Sequence, residues 1–386
     1  MTRDWFRALP LFGEVSTSTL MPPKQRVSAD ERARERFGKH KMMVFPRDVL
    51  IGHGVIDEVA GLCDDLELGK GALLLSSGTT HKVAGERVAK LLASAGYTVS
   101  VCNVEEASVK EVKRAQAAAE KQKSDFLVGI GGGSTIDVAK LASFNLGLPF
   151  ISVPTAASHD GITSGRASIR DSNGTFSKEA KPPVAIVADT EILTKAPFRM
   201  LAAGCGDILS NITAVLDWEL AQRLRGEEYS SFAANMARTS AEMILENADI
   251  VKPGFEESAW LVMKSLLSSG VAMSVAGSSR PASGSEHLFS HMLDRLAPGK
   301  AMHGEQCGVG TVMMMYLHGG DWKTVQAALR TVGAPTTAKD LGIPKKVIIE
   351  ALTKAHALRP DRYTILGDNG LTKEAAERLV SVTGVA

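Results

Sequence analysis

Three short stretches, far apart in the chain, carry residues suited to binding a metal ion. In "GSEHLFSHMLDRL", His287 and His291 are four apart and so share one helical face. "MHGEQCG" adds His303 at the expected start of the next helix. "GCGDILSN" adds Asp207, an acid among small and apolar residues at a helix start. Two histidines and a carboxylate that leave one coordination position open suit a catalytic Zn²⁺. Taken singly, each residue has a plainer explanation as a satisfied helix histidine or an N-capping aspartate. Together they favour a site.

A fourth stretch, "GIGGGSTIDVAK" at 129–140, points to an anion. Its glycines Gly131, Gly132 and Gly133 crowd together where a dinucleotide fingerprint spreads them, and Ile136 stands where the third fingerprint glycine is expected. Without Cβ atoms, their backbone N–H groups approach a phosphate closely, and Ser134 and Thr135 add hydroxyls at the helix opening. A ligand-free tight turn has the same composition, so the flanking elements must decide.

Those elements are legible. "GALLLSSG", "YTVSVCNV", "SDFLVGI" and "PFISVPT" read as strands. "HKVAGERVAKLLASAG", "SVKEVKRAQAAAEKQ" and "STIDVAKLASFNL" read as the helices between them. Strands alternating with helices predict a parallel, Rossmann-like sheet covered on both faces, with its strand-to-helix turns along one edge. After about residue 195 only long helical patterns follow. The expected organisation is an arm over 1–41, an α/β dinucleotide-binding domain over 42–195 and an all-α metal- and substrate-binding domain over 196–386. Ser28 and Glu31 in the arm have capping-box spacing.

Composition narrows the partners. A net charge of +1 gives no electrostatic reason to expect nucleic acid or an anionic membrane. Apolar runs stay short of about 18 residues, which predicts no membrane span. The N-terminal stretch lacks a signal-peptide core. Cys63, Cys102, Cys205 and Cys307 are widely spaced and read as reduced thiols of a cytoplasmic protein.

The ordered set "GGGSTIDVAK", "VPTAASHDGITS", "GCGDILSN", "SEHLFSHML" and "HGEQCGVGT" resembles the polyol and iron-dependent alcohol dehydrogenase superfamily, shared with dehydroquinate synthase. Within it, "SHDGITS" and "RPDRYTIL" make the chain similar to the sn-glycerol-1-phosphate dehydrogenase family over roughly residues 42–386. The resemblance implies a dehydroquinate synthase-like fold, one Zn²⁺ per subunit, NAD or NADP as cofactor, and a homo-oligomer. It implies reduction of dihydroxyacetone phosphate to sn-glycerol 1-phosphate for ether phospholipid backbones. It also implies that Gly133, Ser134, Thr135, Ile136 and Asp137 line the dinucleotide, with Thr155, Ala156, Ala157, Ser158 and Ser164. Asp207, His287 and His303 become metal ligands, while Asp160, Asp207 and His291 contact the substrate. His291, or a water held by Asp160, is the expected proton donor.

A phosphorylated substrate needs cations. Arg280 is seven residues before His287, two helical turns away if the helix reaches back past Pro281. Arg166, six residues after Asp160, is the second candidate. Asn103 and Glu105 are candidates for reading the adenosine ribose, which leaves NAD against NADP open. Ligand type leaves Zn²⁺ against Fe²⁺ or Ni²⁺ open. Two other activities use the same scaffold. One is glycerol or polyol oxidation; the other is an NAD- and Zn²⁺-dependent lyase, whose N-x-G-H pattern is broken here by Gly284.

Overall fold

The computed structural model describes residues 43–171 and 174–386. The N-terminal arm, with Ser28 and Glu31, lies outside the described residues.

Six strands form one parallel sheet: β1 (Asp48–Gly52), β2 (Gly71–Ser76), β3 (Thr98–Asn103), β4 (Phe126–Gly131), β5 (Phe150–Pro154) and β8 (Ala185–Asp189). Their spatial order is β1-β8-β5-β4-β2-β3. The four strands expected from sequence are β2 to β5. β1 and β8 were not singled out: β1 is only half-buried, and β8 is a short apolar run just after two prolines. A separate antiparallel hairpin, β6 (Arg166–Asp171) and β7 (Gly174–Glu179), was also unread.

The strand order explains the position of the glycine turn. The chain steps outward from β2 to β3, then crosses back over β2 to β4. The crevice at the carboxyl ends of β2 and β4 is therefore a topological switch point, where open α/β sheets bind ligands. Gly131 ends β4 at that crevice, and the Thr80 hydroxyl donates to the Ile130 carbonyl at 2.9 Å across it.

Four helices belong to the sheet's crossovers or its first connection: α1 (Val59–Asp65), α2 (Glu86–Ser94), α3 (Val109–Gln122) and α4 (Gly133–Leu146). From Thr135 to Ser143 every residue of α4 is buried, so its charged residues must find partners inside the protein.

Among the described residues no strand follows β8. The chain continues as α5 (Thr190–Lys195), α6 (Phe198–Arg225), α7 (Ser231–Glu246), α8 (Glu256–Ala276), α9 (Ser285–Leu296) and α10 (His303–Leu317). Three more helices complete it: α11 (Trp322–Thr331), α12 (Lys345–Lys354) and α13 (Lys373–Val382). α6 and α8 are long and apolar enough to cross a membrane. Their apolar windows are 83% and 67% buried, however, as befits helices at the centre of a packed core.

Candidate active site

Asp207 lies well inside α6, since that helix begins at Phe198. It therefore does not cap a helix, as one reading of the sequence allowed. His287 and His291 project from α9, and His303 is the first residue of α10. The His303 Nε2 atom is 3.5 Å from Asp207 Oδ1, and His287 Nε2 is 3.8 Å from the same oxygen. A tetrahedral ion with bonds of about 2.0–2.2 Å spaces its ligands by about 3.4 Å. Asp207 Oδ1 is buried and has no hydrogen-bond partner. Two imidazole nitrogens and a buried, unpaired carboxylate oxygen at this spacing fit a divalent cation.

Small residues permit the approach. A Cβ on Gly206 would lie 2.4 Å from the Gly304 carbonyl oxygen, and one on Gly304 would lie 2.0 Å from that of Ala203. α6 and α10 thus touch backbone to backbone beside Asp207 and His303. The "GCGD" and "HG" glycines set the distance between these two groups.

Each donor is held by a second group, the arrangement that orients metal ligands. His287 Nδ1 pairs with Glu286 Oε1 at 2.9 Å, and Glu286 also accepts from Thr213 at 2.8 Å. His303 Nδ1 meets the Ser290 hydroxyl at 3.1 Å. The Asp160 N–H donates to Asp207 Oδ2 at 2.9 Å, and Ser269 donates to Asp160 Oδ2 at 2.8 Å. Burial pushes the Asp207 carboxyl up to about 7, and the nearby Glu286 charge adds to this. Burial, then the Asp207 charge, raises Asp160 to about 7 as well. Burial and the neighbouring histidines hold His287 and His303 well below the usual imidazole range. The imidazoles are already neutral and ready to ligate, so the proton that competes with a metal sits on carboxylate.

A pH dependence follows. Asp207 keeps its proton in the metal-free folded state up to about pH 7, whereas an unfolded aspartate releases it near 3.8. The metal-free fold therefore loses stability as pH rises from about 4 to 7 and is level above that. Metal binding displaces this proton, so affinity should fall by about tenfold per unit below pH 7. The thermal stabilisation conferred by Zn²⁺ should accordingly be larger at pH 8 than at pH 6. Melting curves with Zn²⁺ and with chelator at both pH values check this. Equal gains would show that Asp207 does not exchange a proton for the metal.

Two adjoining cavities open beside the donors. One of about 180 Å³ is lined by Asp160, Ser164, His287 and several arginines. The other, about 410 Å³, is lined by Glu105, Gly133, Ser134 and Ser158. Asp137, His159, Ser168, His291 and His303 line both. Gly133 of the turn and the donor histidines His287 and His303 therefore face one continuous cleft.

Not every expected turn residue reaches it. Thr135 and Ile136 are buried, as are Thr155, Ala156 and Ala157, and none of the five lines either cavity. α4 runs inward from the turn, so Gly133, Ser134 and Asp137 share the open face while 135 and 136 turn away. Asp137 lines the cleft, but its carboxylate is committed. Oδ1 accepts from the fully buried Lys140 at 3.1 Å and Oδ2 from the Ser168 N–H at 2.9 Å. Lys140 also donates to the carbonyls of Gly161 and Arg166. It thereby ties α4 to the Asp160 loop and to the start of β6. Glu105 lines the larger cavity, whereas Asn103 lines neither; its backbone carbonyl accepts from Arg114.

His159 also lies against the turn: a Cβ on Gly133 would fall 1.9 Å from its Nε2. Gly132 differs, with nothing within 4 Å of an added Cβ and a backbone (φ −82°, ψ −173°) open to any residue. Gly132→Ala should therefore fold with a near-normal melting temperature. If an anion rests on the turn, the methyl group would still obstruct it. NADH affinity should fall about 10–100-fold, the scale of losing charge-assisted hydrogen bonds. Unchanged affinity in a fluorescence titration would show that no phosphate rests on Gly132.

The expected phosphate residues divide. Arg166 lines the smaller cavity, with its guanidinium held by the Ser177 hydroxyl at 3.2 Å and the Ser177 carbonyl at 3.0 Å. Arg280 does not line it. Pro281 places Arg280 in a separate turn, Arg280–Ala282, and α9 starts only at Ser285, so the two-turn register with His287 does not exist. The Arg280 fork grips the Glu227 carboxylate and donates to the Tyr363 carbonyl at 2.9 Å. Arg362, Arg359 and Arg295 line the cavity instead. Arg362 is oriented by the Ser283 carbonyl at 2.8 Å and the Ser279 hydroxyl at 3.0 Å. Burial, with Arg280 and Arg359 nearby, lowers Arg362 to about 10, so it stays charged at neutral pH.

Residues 50–197 match the family described as iron-containing alcohol dehydrogenase. Glycerol-1-phosphate dehydrogenase (NAD(P)+) of Methanosarcina mazei is 58% identical over 345 residues, covering 89% of this chain and 97% of that protein. The chain belongs to the glycerol-1-phosphate dehydrogenase family. The family member from Methanothermobacter thermautotrophicus is 54% identical over 340 residues, covering 88% of this chain and 97% of its own. Glycerol dehydrogenase of Schizosaccharomyces pombe superposes with a TM-score of 0.74 at 22% identity, over 89% of this chain and 90% of that one. At that identity the likeness is one of fold.

Sequence reading missed four residues of this site. His159, Arg359 and Arg362 lie inside quoted motifs, "SHDGITS" and "RPDRYTIL", yet were not individually weighed. In the sequence Cys307 reads only as one of four widely spaced reduced thiols. Its signal was its position one helical turn after His303.

Proposed function

We propose that this chain reduces dihydroxyacetone phosphate to sn-glycerol 1-phosphate with NADH or NADPH, in the cytoplasm, as a source of ether phospholipid backbones. One cavity lined by the donor histidines His287 and His303 and by a group of arginines is the observation that carries this reading. At about 180 Å³ it is small beside the roughly 300–1,000 Å³ pockets of drug-sized ligands. Asp207, His287 and His303 would hold one Zn²⁺ per subunit. When bound, that ion would polarise the substrate carbonyl, and the reduced nicotinamide would supply the hydride.

The chain's own groups do the rest. Arg362 and Arg166 fix the phosphate, and so choose which carbonyl face meets the cofactor. Gly132 and Gly133 hold the dinucleotide through backbone N–H groups. His291 lines both cavities, with Asp294 Oδ2 3.9 Å from its Nδ1, and this position beside the donors suits it to deliver the proton to the product oxygen. A glycerol dehydrogenase has no phosphate to place and gives these arginines no task. Oxidation assays with both glycerophosphate enantiomers and glycerol test the proposal. Preference for sn-glycerol 1-phosphate supports it, and preference for glycerol overturns it.

A further inference from the structure

Asp217 is fully buried on α6 and lines neither cavity. Its carboxylate nevertheless meets three other segments of the chain. Oδ2 accepts the Ser285 N–H at 2.6 Å, at the start of α9. Oδ1 accepts the Ile365 N–H at 2.6 Å and lies 3.1 Å from Nε2 of His318, just past the end of α10.

Two of these bonds bracket Arg362. The guanidinium donates to the Ser283 carbonyl and the Ser279 hydroxyl, and Ser283 stands two residues before Ser285. Arg362 itself stands three residues before Ile365. One carboxylate therefore anchors both the segment that carries Arg362 and the turn that orients it. Gly284 permits the approach. A Cβ there would fall 2.6 Å from Asp217 Oδ2 and 2.8 Å from Ala214 Cα, which leaves no room for the asparagine of the related lyase pattern.

We propose that Asp217 is a positioning residue for Arg362, holding its guanidinium toward the phosphate by clamping Ser285 and Ile365 to α6. This rests on the reading of Arg362 as a phosphate-binding residue. A carboxylate suits the task because both of its oxygens accept, so it satisfies two buried N–H groups from separate segments at once. An asparagine of the same shape accepts at one oxygen and turns an N–H toward the other segment. The buried amide left facing that N–H loses its partner, and its segment must shift.

The test uses the full-length, Zn²⁺-loaded protein with inorganic phosphate as the probe, followed by calorimetry. Asp217→Asn is expected to weaken phosphate binding about 10–100-fold, since a misplacement of about 1 Å costs that much. Zn²⁺ content and NADH affinity should stay near those of the wild type, and the KM for sn-glycerol 1-phosphate should rise more than kcat falls. A lower melting temperature with unchanged phosphate affinity would reduce Asp217 to support of the fold and overturn the proposal. Equal losses of phosphate, NADH and Zn²⁺ binding would overturn it too. Arg362→Ala separates the two levels: if it leaves phosphate affinity intact, the reading of Arg362 falls first. Hydrogen exchange in the wild type decides the matter even if Asp217→Asn does not fold. Phosphate should slow exchange at the Ser285 and Ile365 amides together, and slowing at only one of them, or at neither, would overturn the clamp.

Discussion

Replacing His303 with alanine is expected to remove the metal and at least about a thousandfold of turnover, because an ion supplying several kcal/mol to a developing alkoxide accounts for that factor. The imidazole is one of two nitrogens within 3.8 Å of Asp207 Oδ1. Its loss leaves that oxygen with too few companions to hold an ion. The glycine turn lies on a different element, at the end of β4, so NADH should still bind with nearly its original affinity. Asp207→Asn is the gentler companion. Its amide can still accept the Asp160 N–H, which preserves the loop while removing the charge. Metal analysis, a nucleotide titration and initial rates on one preparation check all three statements. A His303→Ala protein with full metal content and near-normal rates would remove His303 from the ligand set.

Arg362→Ala is expected to cost about 2–5 kcal/mol of transition-state binding for the phosphorylated substrate, the scale for breaking a desolvated charge pair. That is at least about 30-fold in kcat/KM for sn-glycerol 1-phosphate, with little change in any weak activity on glycerol. Arg362→Lys should recover part of the loss, since it restores the charge without the two-pronged fork. Arg280→Ala is the informative contrast. It strands Glu227 beside a vacated guanidinium site rather than touching the cavity. Its effect should appear as a lower melting temperature and as similar losses on both substrates. Selective loss of phosphate substrate from Arg280→Ala, with Arg362→Ala unaffected, would reverse the assignment. Rates on both substrates with matched melting curves separate the cases.

The contrast between these two arginines shows where sequence reading stops. Spacing of seven residues implies a shared helical face only if the backbone stays helical throughout. Here Pro281 and the extended Ser283 (φ −148°) interrupt it, and Gly284 starts α9 afresh. Arg362 is 75 residues after His287 in the chain, beyond the reach of any local periodicity. Ser279 and Ser283, which orient it, come from the turn that carries Arg280.

Cofactor-turn residues show the same limit on a smaller scale. Motif likeness assigned the whole run from Gly133 to Asp137 to the dinucleotide. The helix geometry then sets Gly133, Ser134 and the buried Asp137 along the cleft, whereas Thr135 and Ile136 line neither cavity.

The sequence by itself determined what local rules govern. The strand–turn–helix around Gly131–Gly133 follows from an apolar run, a glycine cluster and a helical pattern in direct succession. His287 and His291 share a face because four residues make about one helical turn. The motif order determined the family, because several ordered stretches together carry more information than any one of them. Tertiary structure alone decided which residues meet. It brought Asp207 to the histidines through glycine contacts between α6 and α10, and it placed Cys307 sulfur beside His303. It also turned Arg362 into the cavity and closed Arg280 onto Glu227. Such encounters depend on packing between segments scores of residues apart, where a side chain's partner is set by the path of the whole chain rather than by its neighbours in sequence.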